Sequence, residues 1–291
     1  MSEVRVHIEP QLSRRLNDSS ARRRFYPYDD HIIDWSVPID DTHVYMPDGY
    51  SVVDGTPVAD ALTLAEKSFL TRWEATCFLR NNHIGEHILN QSLLALLHKT
   101  NPYDPAWRYM LHEVAEECQH MKMFNQWVRI NPDIRTKGLG QDVWGVPVSM
   151  LAPVIATRFP VILWTLTLTF EVFGDDFARR AARRQPENIH PIIRQIGRTH
   201  MVEEARHIAF AEEWLRNQVP KLPRLQRVGL NRLIETILER AIRIGLPERY
   251  STQIAHLVSY ESFRAGLRGD HRRRLIAGIY APLAKQLAEL G

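Results

Sequence analysis

The sequence predicts an all-α fold, and three observations point to it. From about residue 60 the chain is rich in Leu, Ala and Glu at helical spacing. Proline stands where helices should open, at Pro105, Pro160 and Pro191. No region shows the two-residue alternation of neighbouring strands. With 291 residues, 44% of them hydrophobic, the chain can bury a sizeable core.

Residues 1–58 hold Pro27, Pro38, Pro47, Gly49, Gly55 and Pro57, and are expected to form an irregular N-terminal arm with short strands. Residues 59–291 are expected to form a single helical domain. Residues 60–99 read as helix, broken in two by "RNNHIG" at 80–85. Asp104-Pro105 pairs a capping residue with proline at the first helical position. That helix should run to about Ile130 and stop before Asn131-Pro132. A loop over 131–146 contains Gly138, Gly140 and Gly145, and Pro147 and Pro153 should shorten or kink the next helix. Pro160 opens a helix through the nearly uncharged "FPVILWTLTLTFEVF" (159–173), which should end among the arginines near 184. This run lies between Arg158 and Glu171 and is shorter than the roughly 20 apolar residues of a membrane span. It is therefore expected to be buried on all sides of a bundle. Pro191 opens another helix reaching about Val219, and three more are expected near 222–243, 248–267 and 270–289.

Bulk properties exclude several classes. A net charge of +3 gives no reason to expect nucleic acid or an anionic membrane as partner. The arginine clusters at 22–24, 179–184 and 272–274 read as solvated helix ends. Cys77 and Cys118 form neither a disulfide framework nor a metal ribbon. The N-terminal residues lack the apolar core of a secretory signal, so a cytoplasmic location is expected.

The chemistry lies in a repeated pattern. "EECQH" (116–120) and "EEARH" (203–207) each contain Glu-x-x-His on a helix. Glu-x-x-His alone is a weak signal, and a third instance, Glu187–His190, falls between helices. The other two have partners. Glu86 lies 31 residues before Glu117, and Glu171 lies 33 before Glu204. Each half therefore reads as a helix pair whose first member presents one carboxylate to the Glu-x-x-His of the second. Two such pairs make a four-helix bundle with a carboxylate-bridged dimetal core, followed by additional C-terminal helices. Helical spacing puts Met110, Glu113, Glu117, His120 and Phe124 on one face. It likewise groups Gly197, His200, Glu204, His207 and Ala211, then Trp164, Thr167, Glu171 and Asp175, then Leu79, Asn82, Glu86, Asn90 and Leu93. Glu171 sits among Leu166, Leu168, Phe170, Val172 and Phe173, surroundings hostile to a free charge. Burying four carboxylates without a cation costs several kcal/mol each. A donor set of carboxylates and imidazoles suits iron, with manganese as the alternative. Glu113 reads as an outer carboxylate or an exposed one. Glu116 and Glu203 read as acceptors for histidine Nδ1 across the bundle, or as solvated groups.

These residues resemble the ferritin-like diiron oxygenases. His200-x3-Glu204-x2-His207 adds a third histidine and resembles the p-aminobenzoate N-oxygenase family over about residues 60–220. The resemblance implies the metal ligands Glu86, Glu117, His120, Glu171, His200, Glu204 and His207, with no catalytic residue separate from them. Glu74 is the nearest alternative to Glu86 upstream. The resemblance also implies two iron ions and a small-molecule arylamine-type substrate. Dioxygen would oxidise its nitrogen to hydroxylamine, nitroso or nitro. No Gly-x-Gly-x-x-Gly loop or cysteine cluster is present, so electrons are expected from a separate reductase, or from peroxide. Pocket walls are expected near Leu89, Leu93, Met121, Phe124 and Trp164, and a homodimer is compatible with the reading. The alternatives are a C–H-oxidising oxygenase or desaturase, a dimanganese catalase and an iron-handling protein. A ribonucleotide-reductase type would resemble a chain with Tyr where Asn90 stands, and a non-enzymatic scaffold leaves Glu171 unexplained.

Overall fold

The structure is a computed structural model and describes residues 8–135, 145–183, 188–230, 232 and 250–290. Its helices are α1 (Pro10–Arg22), α2 (Pro57–Ala61), α3 (Leu64–Leu97), α4 (Pro105–Arg129), α5 (Gly145–Arg158), α6 (Pro160–Ala182), α7 (Pro191–Gln218), α8 (Tyr260–Arg268) and α9 (Asp270–Leu290). The helix expected near 222–243 and part of the glycine loop before α5 lie outside the described residues.

Local chemistry sets the long helices. Thr63 and Glu66 form a reciprocal capping box at the start of α3. Asp104 caps α4 through Ala106 N at 2.9 Å, with Pro105 behind it. His190 caps α7 by accepting from Ile192 N at 3.3 Å, which leaves its Nε2–H to donate to Pro38 O at 3.0 Å. His190 thus has a structural role.

α3 packs on α4, and α6 on α7. Side-chain bonds show that α3 and α4 run antiparallel. Trp127 donates to Thr76 at 3.0 Å, His83 to Met121 O at 3.1 Å, and Trp107 to Leu97 O at 3.2 Å. In the second pair Trp164 meets Phe210 and Trp214, while Gly174 meets His200. Close approach of α7 to α6 requires Gly197, since a Cβ there would stand 2.8 Å from Ala178 O.

Three expectations about where helices run are corrected. First, "RNNHIG" does not break α3, which runs unbroken for 34 residues. Asn82 bonds back to Phe78 O at 2.9 Å and His83 ties the segment to α4. Gly85 costs about 1 kcal/mol relative to Ala, which the packing of both flanks outweighs. Second, the arm opens with helix α1, whose buried Ser13, Leu16, Asn17 and Ser20 face α4 and α7. Asn17 donates to Pro105 O at 3.0 Å. Among the described residues, the rest of the arm contributes a single bridge, Val44 with Ile189. Third, the expected helix over 248–267 is a 3-10 turn at Thr252–Ile254 followed by α8. Gly266 in α8 is obligatory, because a Cβ there would lie 1.8 Å from Val52 O.

α6 is buried along most of its length, but not on all sides. Phe170 is 36% exposed, and Phe159 just before the helix is 60% exposed. No helix among the described residues is long and apolar enough to cross a membrane.

Glu74 is not near the Glu-x-x-His units. It anchors the arm, accepting from Val52 N at 2.6 Å, while the buried Arg272 donates to Tyr50 O at 3.1 Å. Burial pushes its carboxyl up to about 8. The unfolded carboxyl ionises above its ordinary value while the folded one stays protonated. This contribution is therefore whole below about pH 4.5 and is lost progressively up to about pH 8. Glu74→Gln should remove that slope and gain on the order of 4 kcal/mol over wild type at pH 8. Urea unfolding of the metal-free proteins at pH 5 and pH 8 checks this; parallel pH profiles would refute it.

Candidate metal centre

Four helices bring their donors to one level of the bundle: Glu86 on α3, Glu117 and His120 on α4, Glu171 on α6, and His200, Glu204 and His207 on α7. All seven are buried, and Glu117, His120, Glu204 and His207 are wholly so. Their donor atoms fall into two groups, each lying within 4.8 Å. One comprises Glu86, His120, His200 and Glu204; the other comprises Glu117, Glu171, Glu204 and His207. Every ligand expected from the sequence is in one group or the other, including His200 and Glu86.

The carboxylates of α4 and α7 reach both groups. Glu117 Oε2 lies 2.9 Å from His120 Nδ1, and its Oε1 lies 2.8 Å from His207 Nδ1. Glu204 Oε1 lies 3.2 Å from His120 Nδ1 and 3.1 Å from His200 Nε2, while its Oε2 lies 3.2 Å from His207 Nδ1.

A second layer fixes the rings. Glu203 meets His120 Nε2 at 3.0 Å, and Glu116 meets His207 Nε2 at 3.0 Å. Both carboxylates reach across from the opposite helix, as anticipated, but the ring nitrogen is Nε2 and not Nδ1. With Glu and His three apart on one helix, the nitrogen nearer the backbone meets its own helix's glutamate. The far nitrogen is left to span to the neighbour. Arg206 closes the layer, 2.8 Å from Glu116 and 3.5 Å from Glu203. Sequence reasoning passed it over because a lone helical arginine reads as solvated. The signal was its place within "EEARH", which aims it at Glu203 one turn earlier.

The electrostatics are those of a site built for cations. Burial and then the neighbouring carboxylates push Glu86 and Glu171 well above the ordinary range. Burial also raises Glu117, but His120 and His207 outweigh it and hold that carboxyl well below its usual value. Glu204 is likewise brought down to about 2, because His200 and His207 overcome burial. Burial lowers His200 to about 4, whereas carboxylates overcome burial to raise His120 and His207.

Whether these residues fit a metal pair can be tested on their bonding. Glu117 Oε1, Glu204 Oε1 and His200 Nε2 are buried and crowded together, yet none has a hydrogen bond of acceptable geometry. Native proteins rarely leave such atoms unsatisfied. Metal ions satisfy all of them together, and oxygen and imidazole donors without thiolate suit iron or manganese. The group fits.

Glu113 is wholly buried, which decides against the exposed reading, and burial pushes its carboxyl up to about 8. Asp175, on the ligand face by spacing, instead pairs with Arg179. Among the expected pocket walls, Leu89, Leu93, Phe124 and Trp164 are core and Met121 is half-buried. Phe124 lies 5.4 Å from the His200 ring.

Fold and site together define a ferritin-like helical bundle with two interleaved carboxylate–histidine groups able to hold metal. The chain belongs to the p-aminobenzoate N-oxygenase AurF family, whose model matches residues 8–291. Two mycobacterial relatives, one from Mycobacterium bovis and one from Mycobacterium tuberculosis, are each 31% identical over 225 residues, and both are uncharacterised. The match covers 74% of this chain and 63% of each relative, so the chain spans somewhat under two thirds of their length. No solved structure gives a significant match.

Proposed function

We propose that this chain is a non-haem diiron oxygenase that uses dioxygen to oxidise the nitrogen of a small arylamine-type substrate to hydroxylamine, nitroso or nitro. The observation that carries this is the pair of interleaved buried donor groups, with His200 giving one of them a second imidazole. Family membership supports the amine as substrate class.

When bound, two irons supply the redox chemistry on dioxygen, with electrons delivered by a separate reductase. Glu86, His120 and His200 would hold one ion, and Glu171 and His207 the other. Glu117 and Glu204 would serve both. Glu116 and Glu203 fix the imidazole rings by accepting from Nε2–H. Arg206 sets the spacing of those two carboxylates. Phe124, packed 5.4 Å from the His200 ring, helps exclude water from the centre.

His200→Ala separates this reading from a generic six-ligand centre. The variant keeps every carboxylate and both Glu-x-x-His units, so it should still bind two metals. Amine oxidation should fall by roughly 10–100-fold or more, in the range seen when metal-site partners are lost. The two irons should be inequivalent in the wild type by Mössbauer spectroscopy, and the variant should change that spectrum. Unchanged activity and spectra would make His200 a bystander and withdraw the amine substrate.

A further inference from the structure

α4 and α7 carry their donors in the same register. On α7, His200 stands four residues before Glu204 and seven before His207; on α4, Glu113 stands four before Glu117 and seven before His120. The two halves of the centre exchange under an approximate two-fold. Glu203 meets His120 and Glu116 meets His207, both at 3.0 Å. Each histidine Nδ1 also faces the glutamate three residues earlier, at 2.9 Å on α4 and 3.2 Å on α7. Under that exchange His200 maps onto Glu113. The charged groups that act on them map too: Glu204, His120 and Glu117 on His200, and His207, Glu117 and Glu204 on Glu113.

His200 belongs to the donor group on its side of the centre. Glu113 is not part of the matching group of Glu117, Glu171, Glu204 and His207. Its carboxyl is nevertheless 0% exposed, and neither oxygen has a hydrogen-bond partner. Such burial is costly unless a cation or donor compensates it. The chain spends a carboxylate at the register position where α7 places a histidine, and nothing among the described residues satisfies it.

We propose that Glu113 is an eighth donor of the centre, turning in to the metal held by Glu117, Glu171, Glu204 and His207 as His200 serves the other ion. The assignment rests on the dimetal reading and makes the two ions chemically distinct, one with two imidazoles and one with an added carboxylate. Glu113→Gln tests it, because glutamine keeps the shape and has no hydrogen bond to lose. Anaerobic calorimetric titration with Mn(II) should show two equivalents in the wild type. In the variant, one equivalent should keep its affinity and the other should weaken by roughly 10–100-fold. The metal-free variant should melt no lower than the metal-free wild type. Wild-type affinity for both equivalents would overturn the assignment, and so would equal weakening of both, which marks general loosening. A metal-loaded crystal structure with both Glu113 oxygens beyond about 3 Å from either ion would also overturn it, since carboxylate–metal bonds run near ~2.0–2.2 Å. A wild type that binds no metal would instead bring down the dimetal reading itself.

Discussion

Glu204→Ala is expected to lose both metals, whereas Glu86→Ala and Glu171→Ala should each lose one. Glu204 is the residue shared by the two donor groups. Its oxygens divide between them: Oε1 faces His120 and His200 at 3.2 and 3.1 Å, and Oε2 faces His207 at 3.2 Å. Alanine there takes an anionic donor from each ion. It also leaves three carboxylates and three imidazoles facing one another around a hole. Glu86 and Glu171 each enter one group only. Elemental analysis after iron reconstitution should give roughly none for Glu204→Ala and about one for each of the others, if donors act additively. A full complement in Glu204→Ala would show that the groups do not share an ion-bridging carboxylate.

Metal loading should raise the melting temperature strongly, and more so at higher pH. In the metal-free protein, burial and neighbouring carboxylates keep Glu86 and Glu171 protonated, and carboxylates overcome burial to hold protons on His120 and His207. Ligation requires these protons to leave, so binding releases protons and apparent affinity rises with pH. At a thousand-fold excess over Kd, each bound ion adds about 4 kcal/mol. At about 2 °C per kcal/mol for a chain of this size, two ions shift the melting temperature by on the order of 15 °C. Calorimetric scans with and without Mn(II) at pH 6 and pH 8 measure this. The shift should be larger at pH 8. Equal melting temperatures would mean that the glutamates are satisfied without metal.

Legibility in the sequence tracks the range of the forces involved. Helix starts at Pro105 and Pro191 were legible because cap and proline chemistry is local. The residues that converge in the two donor groups were legible because Glu-x-x-His is a spacing rule on one helix, repeated with an upstream carboxylate. Features decided by tertiary contacts were not. α3 survives Asn81, Asn82 and Gly85 because α4 holds its flanks. α1 was hidden in the arm because its buried face is largely Ser and Asn, including Ser13, Asn17 and Ser20. Which imidazole nitrogen faces inward depends on ring orientation, and Arg206 needed the neighbouring helix to become visible. Glu113 was placed on the right face, but spacing alone cannot say whether a helix face is wet or dry.

The most direct measurement is the metal content of folded wild-type protein after anaerobic iron reconstitution and removal of free metal. Two interleaved buried donor groups predict about two irons per chain. A value near zero in protein that is helical and melts cooperatively would contradict the dimetal centre and every role assigned to its residues.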